Sequence, residues 1–335
     1  MNGKKGLTLA LAGLLLVSLA GCGQAKGGEP VKITATQNGW DSQNIHNAIA
    51  KLVVEHAYEG YEFETSTASS NMNWLALVAG EIDLDIESWT DNVLSYPDDV
   101  ARGDIVDVGV LVPDSRQGLY VPRYVIEGDP ERGIEPMAPD LKTVKDLAKY
   151  PGVVPDDEDP AKGRIYGGTP GYMADDVLYK KYEAYGLDQY FTYTRLGSES
   201  GIAASLVSAY NLGQAWVGYN YEPTVVSGKL DLVLLEDEPY DPDLYFDGLC
   251  AYPAQALKIV SSRGFAEKAP ELMSFFQNYR TGSALIAEAL AYMDENNTSI
   301  EETALWFLKK NDSVLDQWLP AKNAKALRDY LSTQG

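Results

Sequence analysis

The chain has 335 residues, with 49 Asp and Glu against 27 Lys and Arg and a formal charge of −22. So acidic a body repels phosphate, which excludes nucleic acid and anionic membrane surfaces as partners, since both need a basic footprint. The two cysteines, Cys22 and Cys250, make no disulfide framework, and the length exceeds that of a single core, which predicts two lobes.

At the N-terminus, Lys4 and Lys5 precede an apolar run over 7–20 that ends in Ala20 and Gly21 before Cys22. This is the pattern of a signal peptide over 1–21, too short to span a bilayer, which takes about 20 apolar residues. Leu19-Ala20-Gly21-Cys22 resembles the bacterial lipobox. That resemblance implies acylation of the Cys22 thiol, cleavage just before it, and a lipid anchor on the outer face of the cytoplasmic membrane, at a cell surface or in a periplasm. Residues 22–30 are small and polar and read as a flexible tether.

From residue 31 onward, short β-branched runs alternate with helical patterns, which predicts α/β architecture with mostly parallel sheets flanked by helices. The first lobe reads as a strand over 31–36, a helix over 42–58 closed by Gly60, a strand over 61–67, a helix over 72–79 and a strand over 82–89. An extended stretch over 117–122 crosses between lobes. The second lobe reads as a strand over 164–168, a helix over 172–185, a strand over 190–195, a helix over 199–211 and a strand over 214–219. A strand over 257–260 then leads into helices that fill the last third. The lobes are expected at 31–117 with 249–335, discontinuous, and at 118–248. The acidic stretch over 155–160 lacks the spacing of a calcium loop and reads as a solvated surface loop.

No catalytic constellation emerges, and the chain is not expected to be an enzyme or to need a metal or cofactor. His46 and His56 lie ten apart, not at the spacing of a helical metal pair. Gly197-Ser198-Glu199-Ser200-Gly201 has Glu where a nucleophile elbow needs Ser, and reads instead as a helix start capped by Ser198. Trp74, Trp216, Trp306 and Trp318 sit in apolar patterns and are assigned to core. Tyr outnumbers Phe by 22 to 7, as suits either a binding rim or a core rim.

Several segments follow one another in a telling order: Gly39-Trp40, Gly80-Glu81-Ile82-Asp83 leading to Glu87-Ser88-Trp89, Thr169-Pro170-Gly171-Tyr172, Tyr219-Asn220-Tyr221-Glu222-Pro223, and Ala304-Leu305-Trp306-Phe307-Leu308 with Trp318. Together they resemble the substrate-binding proteins of glycine betaine and proline betaine type ABC importers, over nearly all of the chain beyond the tether. The resemblance implies a type II periplasmic-binding-protein fold with the ligand in the interlobe cleft. It also implies a monomer that serves an ABC permease and its ATPase. In that family a quaternary ammonium sits in a box of aromatic rings. Here the walls would be Trp89, Tyr172 and Tyr221, with Tyr219 beside them.

Two walls depart from the family pattern, which places Trp where this chain has Tyr172 and Tyr221. The family's His downstream of the first box Trp has no counterpart in 90–93. A ligand carboxylate would rely instead on the helix start at Gly171, Tyr172, Met173 and Ala174, with Asp175 and Asp176 competing for the same dipole end. Trp40 is either a fourth wall or packing under the first helix. Glu87 shares a strand face with Trp89, as a carboxylate that favours a cation such as choline or as a surface residue. Other small solutes (choline, trimethylamine N-oxide, taurine, an amino acid) and a sensor without a transport role are the alternatives.

Overall fold

The computed structural model describes residues 29–334. The expected signal peptide over 1–21, Cys22 and all but the last two residues of the expected tether lie outside the described residues. Among the described residues nine strands form one sheet: β1 Val31–Gln37, β2 Tyr61–Thr67, β3 Leu84–Ser88, β4 Ile105–Pro122, β5 Gly163–Tyr166, β6 Phe191–Thr194, β7 Gly218–Glu222, β8 Leu232–Leu234 and β9 Gln255–Ser262. Their order is β2-β1-β3-β9-β4-β7-β5-β6, with β8 on β4. At one end β2, β1 and β3 run parallel, and at the other β7, β5 and β6 do; β4 and β9 are antiparallel to their neighbours between them.

The first lobe forms because the Asp41–Ala57 helix buries Ile45, Ile49 and Val53 on one face, as its apolar spacing predicts. That face packs with Ile33 of β1, Leu84 and Ile86 of β3 and the helices Pro270–Asn278, Ser283–Asn296, Ile300–Lys310 and Ala321–Thr333 into one core that includes Trp318. The second lobe packs Ile165, Val217 and Leu178 around its own sheet.

Element order agrees with the sequence reading, and the differences are local. The crossing segment is the end of β4, which starts at Ile105 and runs for 18 residues. It pairs with β9 up to Ser115, then with β7 from Arg116 and with β8 from Tyr120. The strand expected over 214–219 lies at Gly218–Glu222, starting four residues later, because Trp216 and Val217 are buried in the approach to it. Trp74, Trp216 and Trp318 are buried as assigned, whereas Trp306 is only half-buried, stacked on Tyr292 at 4.0 Å. In the acidic loop, Asp156 is buried and paired with Arg164 rather than solvated.

One buried ion pair ties the return segment to the second lobe. Lys181, on the Met173–Ala184 helix, is fully buried and bonds Asp237 and the Cys250 carbonyl oxygen. The chain approaches so closely that a Cβ on Gly248 would lie 2.3 Å from the Lys181 nitrogen. With φ of +72° as well, only glycine fits there. Removing one partner of a buried pair strands the other charge, at about 3–5 kcal/mol. Lys181→Met is therefore expected to lower the thermal midpoint clearly, and adding Asp237→Leu to recover most of the loss, as followed by circular dichroism.

Candidate binding site between the lobes

The rings singled out in the sequence come from the carboxyl ends of strands, where open α/β sheets place ligands. Trp40 follows β1, Trp89 follows β3, and Tyr172 closes the turn after β5. Tyr219 and Tyr221 are two apart on β7 and so share a face. All five line one cavity, together with Trp74, whose core position also forms part of its wall. Two perpendicular corners join the lobes. Trp40 meets Tyr172 at 5.2 Å and 85°, and Trp89 meets Tyr221 at 5.3 Å and 84°. Trp40 thus resolves as a wall of the cavity as well as the residue that starts the Asp41–Ala57 helix.

Glu87 is not a surface residue; it is fully buried. Its Oε1 accepts from Trp40 Nε1 at 2.9 Å, Ser42 Oγ at 2.9 Å and Trp89 Nε1 at 3.3 Å. One carboxyl oxygen therefore holds both indoles. Its Oε2 has no hydrogen-bond partner and lies 3.8 Å from His46 Nε2, while His46 Nδ1 meets the Tyr279 hydroxyl at 2.8 Å. Burial pushes the Glu87 carboxyl up to about 8 and the His46 imidazole down to about 3. The pair is a neutral acid facing a neutral ring at neutral pH, and 3.8 Å is beyond hydrogen-bond length.

A second acid escaped the sequence reading. Glu199 begins the Glu199–Leu212 helix, and the expected cap is present, with Ser198 Oγ accepting from Gly201 N–H at 3.1 Å. The Glu199 side chain turns to the rings, its Oε1 accepting from the Tyr221 hydroxyl at 2.7 Å. Burial, then the charge of Asp41, pushes its carboxyl up to about 8. A polar relay was missed as well. Tyr219 donates to Gln117 Oε1 at 2.7 Å, Gln117 Nε2 donates to Asn92 Oδ1 at 3.0 Å, and Tyr245 and Gln255 donate to the same Asn92 oxygen. Asn92 lies in the segment where the resemblance left the family's His without a counterpart, and it lines the cavity. These amides carried no sequence signal, because Asn and Gln are ordinary at turns and strand ends.

The helix start offers an anion less than expected. The Tyr172 N–H is spent on the Thr169 carbonyl at 3.0 Å, and the Met173 N–H faces Ser70 Oγ at 3.4 Å. Ser70 in turn donates to the Gly171 carbonyl at 3.1 Å, linking the lobes. Gly171 has φ of +86°, and a Cβ there would lie 2.8 Å from Ser69 Cβ, so glycine permits this contact. Asp175 sits in the first turn of this helix, as expected. It is buried and accepts from Gly168 N–H, Tyr193 and Arg195 Nε, while Asp176 accepts from Asn71 across the lobes at 3.3 Å. His56 is far from the rings, stacked on Tyr330 at 3.4 Å.

Comparison with known proteins follows the same lines. A trimethylamine N-oxide-binding protein of Pelagibacter ubique (strain HTCC1062) is 24% identical over 310 residues, covering 91% of this chain and 95% of that protein. A glycine/betaine/L-proline-binding protein structure from Borrelia burgdorferi superposes with a TM-score of 0.70 at 20% identity, over 88% of this chain and 99% of that one. A choline-binding protein of an ABC transporter, solved with choline, gives 0.69 at 20% identity, over 90% and 98%. These likenesses establish the two-lobe fold of type II periplasmic binding proteins. The sequence pattern of the substrate-binding domain of ABC-type glycine betaine transport systems matches residues 30–310, and the chain belongs to that family.

Proposed function

We propose that the protein captures a quaternary ammonium solute of the glycine betaine type between its lobes and hands it to an ABC permease and its ATPase. The observation that carries this reading is the set of five rings from both lobes around one cavity, Trp40, Trp89, Tyr172, Tyr219 and Tyr221. A trimethylammonium group has no N–H to donate, so ring faces must supply its attraction, on the order of 0.5–2 kcal/mol each. The lobes are assigned as 31–117 with 249–335, and 118–248, acting as a monomer. Isothermal titration of the purified body with glycine betaine, proline betaine, choline and trimethylamine N-oxide is expected to give saturable binding of at least one. Trp89→Ala and Tyr221→Ala should each weaken it by about tenfold or more, since about 1.4 kcal/mol is a factor of ten. Heat from none of the four would refute the assignment.

A second reading within this class, choline, is favoured by the two carboxyls beside the rings and by the engagement of two helix-start N–H groups, those of Tyr172 and Met173. In the free protein Glu87 and Glu199 hold their protons below about pH 8. A cation in the cage favours the ionised form, so binding releases protons and low pH opposes it. Choline affinity is therefore expected to rise between pH 6 and 8.5, at most about tenfold per unit for each proton released. Glu87→Gln should reduce that slope and Glu87→Gln with Glu199→Gln abolish it. A pH-independent wild-type affinity would show that neither carboxyl senses the ligand.

Cys22 supplies the anchor in this proposal, keeping the body beside the permease on the outer face of the cytoplasmic membrane. The full chain, expressed in a bacterium, is expected in the membrane fraction, and Cys22→Ala in the soluble extract. Unchanged membrane retention of the variant would remove the anchor from the scheme.

A further inference from the structure

A second cavity, of about 290 Å³, shares Tyr172, Tyr219 and Tyr221 with the cage and otherwise has its own walls. Its apolar side is Ile202, Leu206 and Val226, and its polar side is Asp41, Thr169, Glu199 and Asn220. Glu199 Oε2 and Asn220 Nδ2 are buried here without a hydrogen-bond partner in the protein, and the Thr169 and Tyr172 hydroxyls have none but each other. Such atoms are almost always satisfied in folded proteins. Asn220 and Tyr172 are only 6% and 7% exposed, so bulk water does not serve them. The Asn220 oxygen faces the Thr224 hydroxyl at 3.5 Å, which leaves its Nδ2 as the free donor.

The chemistry of these atoms names their occupant. Among the lining residues there is no Lys, Arg or His, while Asp41, Glu199 and Asp294 all contribute carboxyls, the last already paired with Lys229. The lining therefore suits a cation rather than an anion. A cation bound here holds Glu199 ionised, so its Oε2 then takes a donor and the cation carries N–H, unlike the quaternary group suited to the cage. Asn220 Nδ2 needs an acceptor, and the apolar side accommodates methylene or methyl groups.

We propose that this chamber is a second binding subsite, for a small protonated amino alcohol. Its ammonium donates to Glu199 Oε2 and the Asp41 carboxylate, and its hydroxyl oxygen accepts from Asn220 Nδ2. The subsite stands on its own atoms and does not depend on which solute the cage takes. It touches the cage through Glu199, whose other oxygen holds the Tyr221 hydroxyl.

The test titrates the mature body with ethanolamine and N,N-dimethylethanolamine at pH 7, by calorimetry and by NMR of the Asn side-chain amides. Saturable binding is expected in the wild type and in Trp89→Ala, with a loss of at least tenfold in Glu199→Gln and in Asn220→Ala. A shifted Asn220 amide resonance should accompany binding. Glu199→Gln is isosteric, and thermal melts of both variants identify any that fails to fold; loss in one folded variant suffices. If Trp89→Ala abolishes amine binding while Glu199→Gln and Asn220→Ala keep it, the amine sits in the cage and the proposal falls. If no amine binds while choline does, the chamber holds only water and the proposal falls, with the cage assignment intact. If amines bind as expected while no quaternary ligand does, the chamber stands and the cage assignment fails.

Discussion

Placing a carboxyl out of reach of water with no cation beside it is expensive, and the architecture of the site follows from how the chain accommodates Glu87. Three donors from two segments converge on one of its oxygens: Trp40, Ser42 and Trp89. The end of β3 and the start of the Asp41–Ala57 helix are thereby locked together, and the planes of both indoles are set before any ligand arrives. Below, His46 reaches the Tyr279 hydroxyl, and Tyr279 packs edge-on against Trp318 at 4.7 Å, whose indole donates to the Arg280 carbonyl. The floor of the cage is thus continuous with the core of the first lobe, which makes it rigid in the way preorganised sites require.

Much of this was legible in the sequence. Alternating β-branched runs and the 3.6-residue spacing of Ile45, Ile49 and Val53 are local signals, and the elements they predict are present. The rings were found through the order of segments that resembles a known family, not through any one local signal. What was not legible depends on contacts distant in sequence. Glu199 looks like any acid at a helix start, and nothing local says that its side chain turns to Tyr221. Glu87 and Trp89 share a strand face in any alternating pattern, yet burial is decided by Trp40, 47 positions earlier. The first half of β4 was missed because Asp107, Asp114 and Arg116 interrupt the apolar run; they lie on an antiparallel strand whose polar side chains pair outward, as with Asp107 to Lys258 and Arg116 to Glu222.

Away from the rings, the lobes touch through polar contacts: Ser70 with Gly171, Asn71 with Asp176, and Lys229 with Asp294. Interfaces of this kind separate more readily than apolar ones. Each aromatic corner pairs one ring from each lobe, so parting the lobes would separate both pairs. The contrast suits a binding protein, whose lobes must part without loss of either core.

The length of β4 has a mechanical consequence. A single strand belongs to the first sheet at one end and to the second at the other, so any rotation between lobes must be taken up along it. Gln117 lies at that change of partner, paired with Tyr221 of β7 in the ladder while its side chain bonds Tyr219 and Asn92. The point where β4 changes sheets and the Tyr219 wall of the cavity are therefore one hydrogen bond apart, so a shift at either is felt directly at the other.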